Sequence, residues 1–501
     1  MQNILPAETE ADIIAVERGV ISYDDSNRPT NIPQLLLYDD AYHHHGGHIE
    51  VKGSQTLALK NFESNITISS VVNATDLRNA NDDFCSSLIN TTAITAQNLA
   101  VNLTGQHGMR SDWYYLCLPY ALRPNDMTAT LPFATSLLRY DSQRRAAGNA
   151  QSTNSYNASG NWKEIGANDI IPAGEGFILS YITATPQYSN YYDFQLKLPA
   201  QTVTNDMFAQ QRTITLKDYP ATNVEDRGWN LVGNTFPAYY QMSASDIKVP
   251  YMVYGKDTEF ETSDYYTKHY YTYTRDDDDM LLKPFQAFFV QYSEVQTTIK
   301  MPAEGRYHSY PQFLACQPAA SPALRRAAEE NRQLFDIHLT GNRQHDRTRI
   351  VLNERAQIAF EPTCDAPKLM SQGMSMLYTV EDDKQLSINE RPTPAEGITL
   401  CLDVAIEGDY TLSLGKHTGT GILLKDLATG TTTPLDEAAY NFHSATGTRH
   451  FLVSFANSTT VIPSVSTPTK RLPIYNLQGQ KVNGTLKPGI YIKDGKKIMM
   501  K

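Results

Sequence analysis

Cysteine is scarce in this chain. Five are scattered through 501 residues (Cys85, Cys117, Cys316, Cys364 and Cys401), an odd number with no CxxC pair. That argues against a zinc site and against a disulfide framework, and leaves buried thiols. Basic charge is short as well. The 43 Lys and Arg against 54 Asp and Glu leave a formal −11, the wrong sign for a nucleic-acid partner. No run of about 18 apolar residues exists, so no segment reads as a membrane-spanning helix. The start, Met1-Gln2-Asn3-Ile4-Leu5-Pro6, has neither the basic region nor the apolar core of a signal peptide. It reads as a cytosolic protein, or as a mature or partial chain of an exported one. HExxH, GxSxG, the P-loop and a GxGxxG turn after a strand are all missing. The expectation is a protein that is not an enzyme and uses no cofactor.

Tyrosine is plentiful: 30 residues, which favours pleated, half-buried surfaces. The length suggests about three or four domains. The organising stretch is Gly228-Trp229-Asn230-Leu231-Val232-Gly233-Asn234, followed by Met252-Val253-Tyr254 and the apolar run Pro284-Phe285-Gln286-Ala287-Phe288-Phe289-Val290. A looser copy begins at Trp113, continues through Leu138-Arg139-Tyr140 and ends in Pro172-Ala173-Gly174-Glu175-Gly176-Phe177. Trp to Tyr spans 27 residues in the first copy and 25 in the second; Tyr to Pro spans 32 and 30. Landmarks in one order at nearly one spacing indicate an internal duplication. Trp113 and Trp229 should then be equivalent, with Phe177 and Phe289 on equivalent strands.

The expected fold is all-β: tandem β-sandwich-like modules with an internal duplication and a small C-terminal β appendage. Residues 1–105 read as an N-terminal β region of short strands. Residues 106–315 hold the two Trp-led modules, about 106–200 and 201–315. Residues 316–333 read as a linker with a short helix opened by Ser321-Pro322. Residues 334–462 alternate as a β-sandwich: Phe335, Ile337 and Leu339 share a face, as do Leu400, Leu402, Val404 and Ile406. A turn at Gly408-Asp409 suggests that the strand of Tyr410 forms a hairpin with the one before it. Residues 463–501 form a tail.

Candidate sites are few. Imidazoles at His43, His45 and His48 are metal ligands by type, but consecutive residues alternate faces, and an exposed turn is the plainer reading. Asp276 to Asp279 lack the glycine and distal glutamate of a calcium loop and read as a solvated acidic loop. Tyr265, Tyr266, Tyr270 and Tyr271 suggest an aromatic platform for a glycan or partner. Packing in a β core is the preferred alternative.

The tail carries a resemblance. Arg471-Leu472-Pro473-Ile474-Tyr475-Asn476-Leu477-Gln478-Gly479-Gln480-Lys481-Val482, then Leu486-Lys487-Pro488-Gly489-Ile490-Tyr491-Ile492 and Gly495-Lys496-Lys497, resembles the C-terminal sorting domain of Bacteroidetes secreted proteins. Tyr475, Gly479, Pro488, Gly489, Tyr491 and Gly495 carry it. Trp229 to Pro237 is similar to the GWNLVGNPYP signature of surface proteins from the same bacteria. Asp346 to Glu354 and Asp365 to Leu369 resemble a β module often found before such tails. The resemblance implies export by a type IX secretion system, with the secretion machinery as the tail's partner. It further implies a structural or adhesive role on the surface of a Gram-negative cell, toward a host or biofilm protein or glycan. Two other readings stay open: the non-catalytic C-terminal part of a secreted protease or glycosidase, and a carbohydrate-binding surface protein.

Overall fold

The two Trp-led stretches fold into the same four-stranded antiparallel sheet. In the computed structural model the first copy orders its strands Ser111–Cys117, Gly176–Ile182, Thr135–Tyr140, Trp162–Glu164. The second orders Trp229–Gly233, Ala287–Gln291, Tyr251–Gly255, His269–Tyr273. In both, the first strand of the copy lies beside the last. The register extends the match to single residues. Trp113 lies four positions before Cys117, which pairs with Gly176; Trp229 lies four before Gly233, which pairs with Ala287. The same counting matches Tyr115 with Leu231, Leu138 with Met252, Tyr140 with Tyr254 and Trp162 with Tyr270. Phe177 and Phe289 are on equivalent strands, but the register sets Phe177 against Phe288 and Ile178 against Phe289. The landmark prolines are one position out, because Ala173 matches Pro284. Side chains are described for most of residues 115–179, 210–306 and 332–455; beyond these the structure describes strand backbones alone.

The copies bury the same face against each other. Tyr115, Leu138, Tyr140, Trp162 and Ile178 from the first meet Leu231, Met252, Tyr254, Tyr270 and Phe289 from the second, with Trp229 beside them. Those are the five matched pairs, so the packing is pseudo-two-fold. Backbone contacts repeat accordingly. Cys117 N donates to Phe285 O at 2.9 Å, and Gly233 N donates to Gly174 O at 3.1 Å. Small residues let the backbones approach: a Cβ on Gly233 would lie 2.5 Å from Cys117 Sγ, and one on Gly176 2.4 Å from Leu231 Cγ. The turn into the last strand of each copy needs a left-handed residue, Gly174 at φ +74° and Phe285 at φ +58°. Glycine adopts it freely. Fully buried Phe285 is held there by its packing, after Pro284 fixes the preceding corner.

The second sheet is covered on its other face too. Val232, Tyr251, Val253, Tyr271, Tyr273, Phe288 and Val290 pack on Ile214, Phe236, Tyr240, Ile299 and Met301. This is why the strands Trp229–Gly233 and Ala287–Gln291 are buried at every position.

Residues 333–455 form one sheet that curls over a single core. Ten strands run in the order Thr432–Pro434, Ile422–Asp426, Gly447–Phe455, Ile398–Val404, Met376–Glu381, Lys384–Arg391, Gln344–Leu352, Gln333–Gly341, Gly408–His417, Tyr440–Ser444, and a short eleventh, Ala366–Pro367, pairs with Lys384–Arg391 off this path. The two edge strands are close in sequence, and Tyr440 donates its hydroxyl to Asp426 at 2.6 Å, drawing the edges together. Phe335, Ile337, Leu339, Leu400, Leu402 and Val404 fill the core as the alternation requires. Ile406 does not join them; it is 46% exposed. The hairpin expected at Gly408-Asp409 is absent. Strand Ile398–Val404 pairs with Met376–Glu381 and Gly447–Phe455, whereas Gly408–His417 crosses to Gln333–Gly341 and Tyr440–Ser444.

The N-terminal region consists of strands, as expected, and they pair mostly in parallel. Ile14–Val16, Ile32–Leu37, Leu57–Thr67 and Ile94–Gly105 stack in parallel in one sheet, and Gln2–Asn3, Gly19–Tyr23, His45–Val51 and Ser87–Asn90 stack in parallel in another. The chain alternates between the two sheets, as in a β-solenoid. Its last rung, Ile94–Gly105, pairs antiparallel with Phe194–Lys197 and Gln201–Val203, which follow the first Trp-led sheet. All of this lies in one compact unit, Met1–Phe455; a second, Ala456–Lys501, is a four-stranded antiparallel sheet of Lys481–Val482, Ile474–Tyr475, Gly489–Lys493 and Lys496–Met500. The expected linker helix lies outside the described residues.

Candidate functional site

Alternation on two neighbouring strands concentrates charge. Strands Gln333–Gly341 and Gln344–Leu352 point Phe335, Ile337, Leu339, Ile350 and Leu352 into the ten-stranded core. The intervening positions place Asp336, His338, His345, Arg347 and Arg349 on the opposite face. That face meets strand His269–Tyr273 of the second Trp-led sheet, and all five residues are buried.

Arg349 is the hub. Its Nε and Nη2 donate to Asp336 at 2.6 and 2.7 Å, and its Nη1 and Nη2 donate to Asp277 at 2.9 Å each. Burial opposes charge on Asp277, but Arg349, with Arg347 and Lys416, holds its carboxyl well below the usual carboxylate range. Burial likewise opposes charge on Arg349, and the two carboxylates outweigh it, holding the guanidinium firmly protonated. Arg347 lies 4.6 Å over the ring of Tyr273 and donates to Thr272 O at 3.0 Å. His338 Nδ1 and His345 Nε2 are 3.0 Å apart, and Tyr271 donates its hydroxyl to His345 O at 3.2 Å. Thr272 and Ser387 hydroxyls meet at 2.7 Å. On the inner side Lys368 Nζ sits 2.7 Å from Asp346, both buried. Asp277, Asp336 and Asp346 thus each face a cation, which is the chemistry of a fixed joint.

The acidic run was expected to be solvated, and for Asp277 that is wrong: it is 2% exposed, because Arg349 draws it inward. Of the four tyrosines weighed as an aromatic platform, two are described, and both pack as the preferred alternative has it. Tyr270 and Tyr271 are each 2% exposed, Tyr270 in the core between the two copies and Tyr271 against His345, so neither offers a ring to a glycan. Tyr265, Tyr266 and His43 lie outside the described residues. His45 and His48 fall on strand His45–Val51. Among the described residues no three metal-binding side chains converge. In the tail, Tyr475 and Tyr491 fall on neighbouring strands Ile474–Tyr475 and Gly489–Lys493, and Gly489 opens the latter. Gly479, Pro488 and Gly495 lie between strands, outside the described residues.

Two further features were not anticipated. Cys401 Sγ lies 3.2 Å from His450 Nδ1, but burial and then Asp403 push the thiol up to about 11, so it stays protonated and unreactive. A groove of about 420 Å³ opens on the ten-stranded sheet beside Thr340, Asp409, Thr411, Asn441 and His443. In it His443 Nδ1 is 2.9 Å from Asp409, and contact with that carboxylate raises the imidazole's pKa.

A family model described as a domain of unknown function (DUF8693) matches residues 29–455. The chain belongs to the DUF8693 family. The DUF8693 match covers both Trp-led copies, the ten-stranded sheet and the junction between them. It ends at Phe455, where the first compact unit ends, and leaves the tail outside. No curated protein and no solved structure matches the chain.

Proposed function

We propose that the protein is exported to the surface of a Gram-negative cell of the Bacteroidetes type. There the DUF8693 body acts as a structural or adhesive β scaffold, and the tail is the secretion or anchoring signal. The observation that carries this reading is the division at 455/456. The tail bearing the sorting-domain resemblance is its own unit, outside the family match. Charge divides in the same place. Lys470 to Lys501 carries eight basic residues against Asp494 alone, giving +7, so residues 1–469 sum to −11 − 7 = −18. A joint of paired buried charges and a duplicated aromatic core suit a body that holds shape and presents surface.

Deleting 456–501 should leave the melting of the body nearly unchanged and, in the native cell, retain the protein in the periplasm. Surface labelling of the truncated protein at normal levels would refute the signal. A lowered melting temperature would instead make the tail part of the body's structure.

A further inference from the structure

The groove on the ten-stranded sheet is built by register. Thr340 pairs with Thr411 and Thr411 with Asn441, so a row of polar side chains crosses three adjacent strands. Asp409 pairs with His443 two residues along, adding a second row on the same face. Leu339, Tyr410 and Leu412 alternate with these residues and fill the core. Gly341 pairs with Tyr410 and ends its strand, one position short of Asp409. The next residue, Asn342, donates its amide to Ile406 O at 3.2 Å instead of extending the row. The space of about 420 Å³ lies beside Gly341 and Asp409, within the usual range of small-ligand sites.

What lines that space is hydrogen-bonding capacity. Thr411 donates its hydroxyl to Asn441 Oδ1 at 2.7 Å, which leaves the amide N–H groups of Asn441 to donate. Asp409 meets His443 Nδ1 through Oδ1 at 2.9 Å, and its Oδ2 has no hydrogen-bond partner among the described residues. The Asp409 and His443 side chains are 92% and 62% exposed. Tyr410 and Phe442 pack with the core instead of offering a ring. The cations beside the groove are already engaged. His443 lies between Asp409 and Glu407, the latter at 3.7 Å, and Arg449 is taken by Asp426 and by His443 O at 2.9 Å. An anion would therefore meet carboxylates, and an apolar ligand would cover polar groups without bonding them. A neutral polyol suits a row of donors and acceptors, because each hydroxyl can be either.

We propose that this groove binds a neutral sugar through its hydroxyls, with Asp409 accepting from one, Asn441 donating to another and Thr340 completing the row. The site supplies the ligand class for the adhesive role proposed above, and its place in the cell rests on that reading. With no ring to stack on, one site holds its sugar weakly, with a Kd of about 1 mM, and adhesion takes many sites together.

Binding is read on the purified full chain, so its failure and a failure of the surface assignment in cells are separate results. An array of neutral, sialylated and sulfated oligosaccharides selects ligands, and titration followed by nuclear magnetic resonance of the free sugar measures Kd. Neutral oligosaccharides should bind and the charged ones should not. Asp409→Ala and Asn441→Ala, both at exposed positions, should each weaken binding about three- to tenfold and leave the urea midpoint unchanged. If either variant fails to fold, Asp409→Asn takes its place; it keeps the shape, removes the charge and should weaken binding in the same range. Absence of binding to any neutral glycan at about 10 mM overturns the proposal. So does a preference for charged glycans, or full binding by the variants.

Discussion

Replacing Arg349 with methionine tests whether the junction is a joint of charge or merely of shape. The guanidinium is 3% exposed and donates four hydrogen bonds to carboxylates, two to Asp336 and two to Asp277, and a longer one to the Thr274 hydroxyl at 3.5 Å. Methionine fills much of its volume, so cavity formation is a minor part of the cost. What remains is two buried carboxylates without their shared cation, with, among the described residues, Arg347 at 3.8 Å from Asp336 and Lys416 at 3.4 Å from Asp277. Breaking a buried pair costs about 3–5 kcal/mol, and stranding two acids should reach the top of that range. The loss must also depend on pH. Uncompensated buried carboxyls have raised folded pKa values, so their penalty shrinks as pH falls toward the ordinary carboxylate range near 3.9. Urea unfolding of Arg349→Met against wild type should show a difference of about 5 kcal/mol at neutral pH that narrows in acid. Adding Asp277→Asn and Asp336→Asn should recover most of it. A neutral-pH cost under about 1 kcal/mol, or one that does not change with pH, would refute the reasoning.

Gly233→Ala should destabilise the body by about 1–3 kcal/mol, because its Cβ would meet Cys117 and the Gln286 carbonyl between pinned strands. Cys117→Gly in the same chain should recover part of that loss in a double-mutant cycle by urea unfolding. Asp365, raised by burial from 3.8 to about 6, contributes stability that is full below 3.8 and lost as pH rises through 6. The difference between wild type and Asp365→Asn should therefore move by about 3 kcal/mol across that window, read from denaturation at several pH values. Trypsin cleavage within 316–333 should leave the two pieces co-eluting under native conditions, because the buried junction spans the cut. Separation of the pieces would count against the joint.

Several of these features were legible in the sequence, and each for a local reason. The duplication showed because the tryptophans and tyrosines hold matched register positions in the two sheets, and their spacing survives changes elsewhere. The double-sided burial of Phe288 and Phe289 showed because a wet face would have required alternation. Asp277 was misread because a run of four aspartates looks solvated, and its partner Arg349 lies 72 residues away. The charged alternation of Asp346-Arg347-Thr348-Arg349 was the available signal, since a strand rarely carries such residues on a buried face without partners. The Gly408-Asp409 turn misled because turn chemistry reports a change of direction and not which strand is met next. Parallel stacking in residues 1–105 is likewise invisible to period-two patterning, which is the same for either pairing direction.

The self-matching face between the two copies has a consequence for assembly. A surface complementary to its own repeat is satisfied within one chain only because the tether keeps the copies at an effective concentration in the millimolar range, or about that. A neighbouring molecule offers the same surface with the same geometry. Whenever the copies part, during synthesis or in mild denaturant, exchange between chains competes with closure within one. The protein should therefore form domain-swapped dimers when refolded at high concentration and monomers when refolded dilute, with every contact of the native core kept and only the ownership of the strands changed.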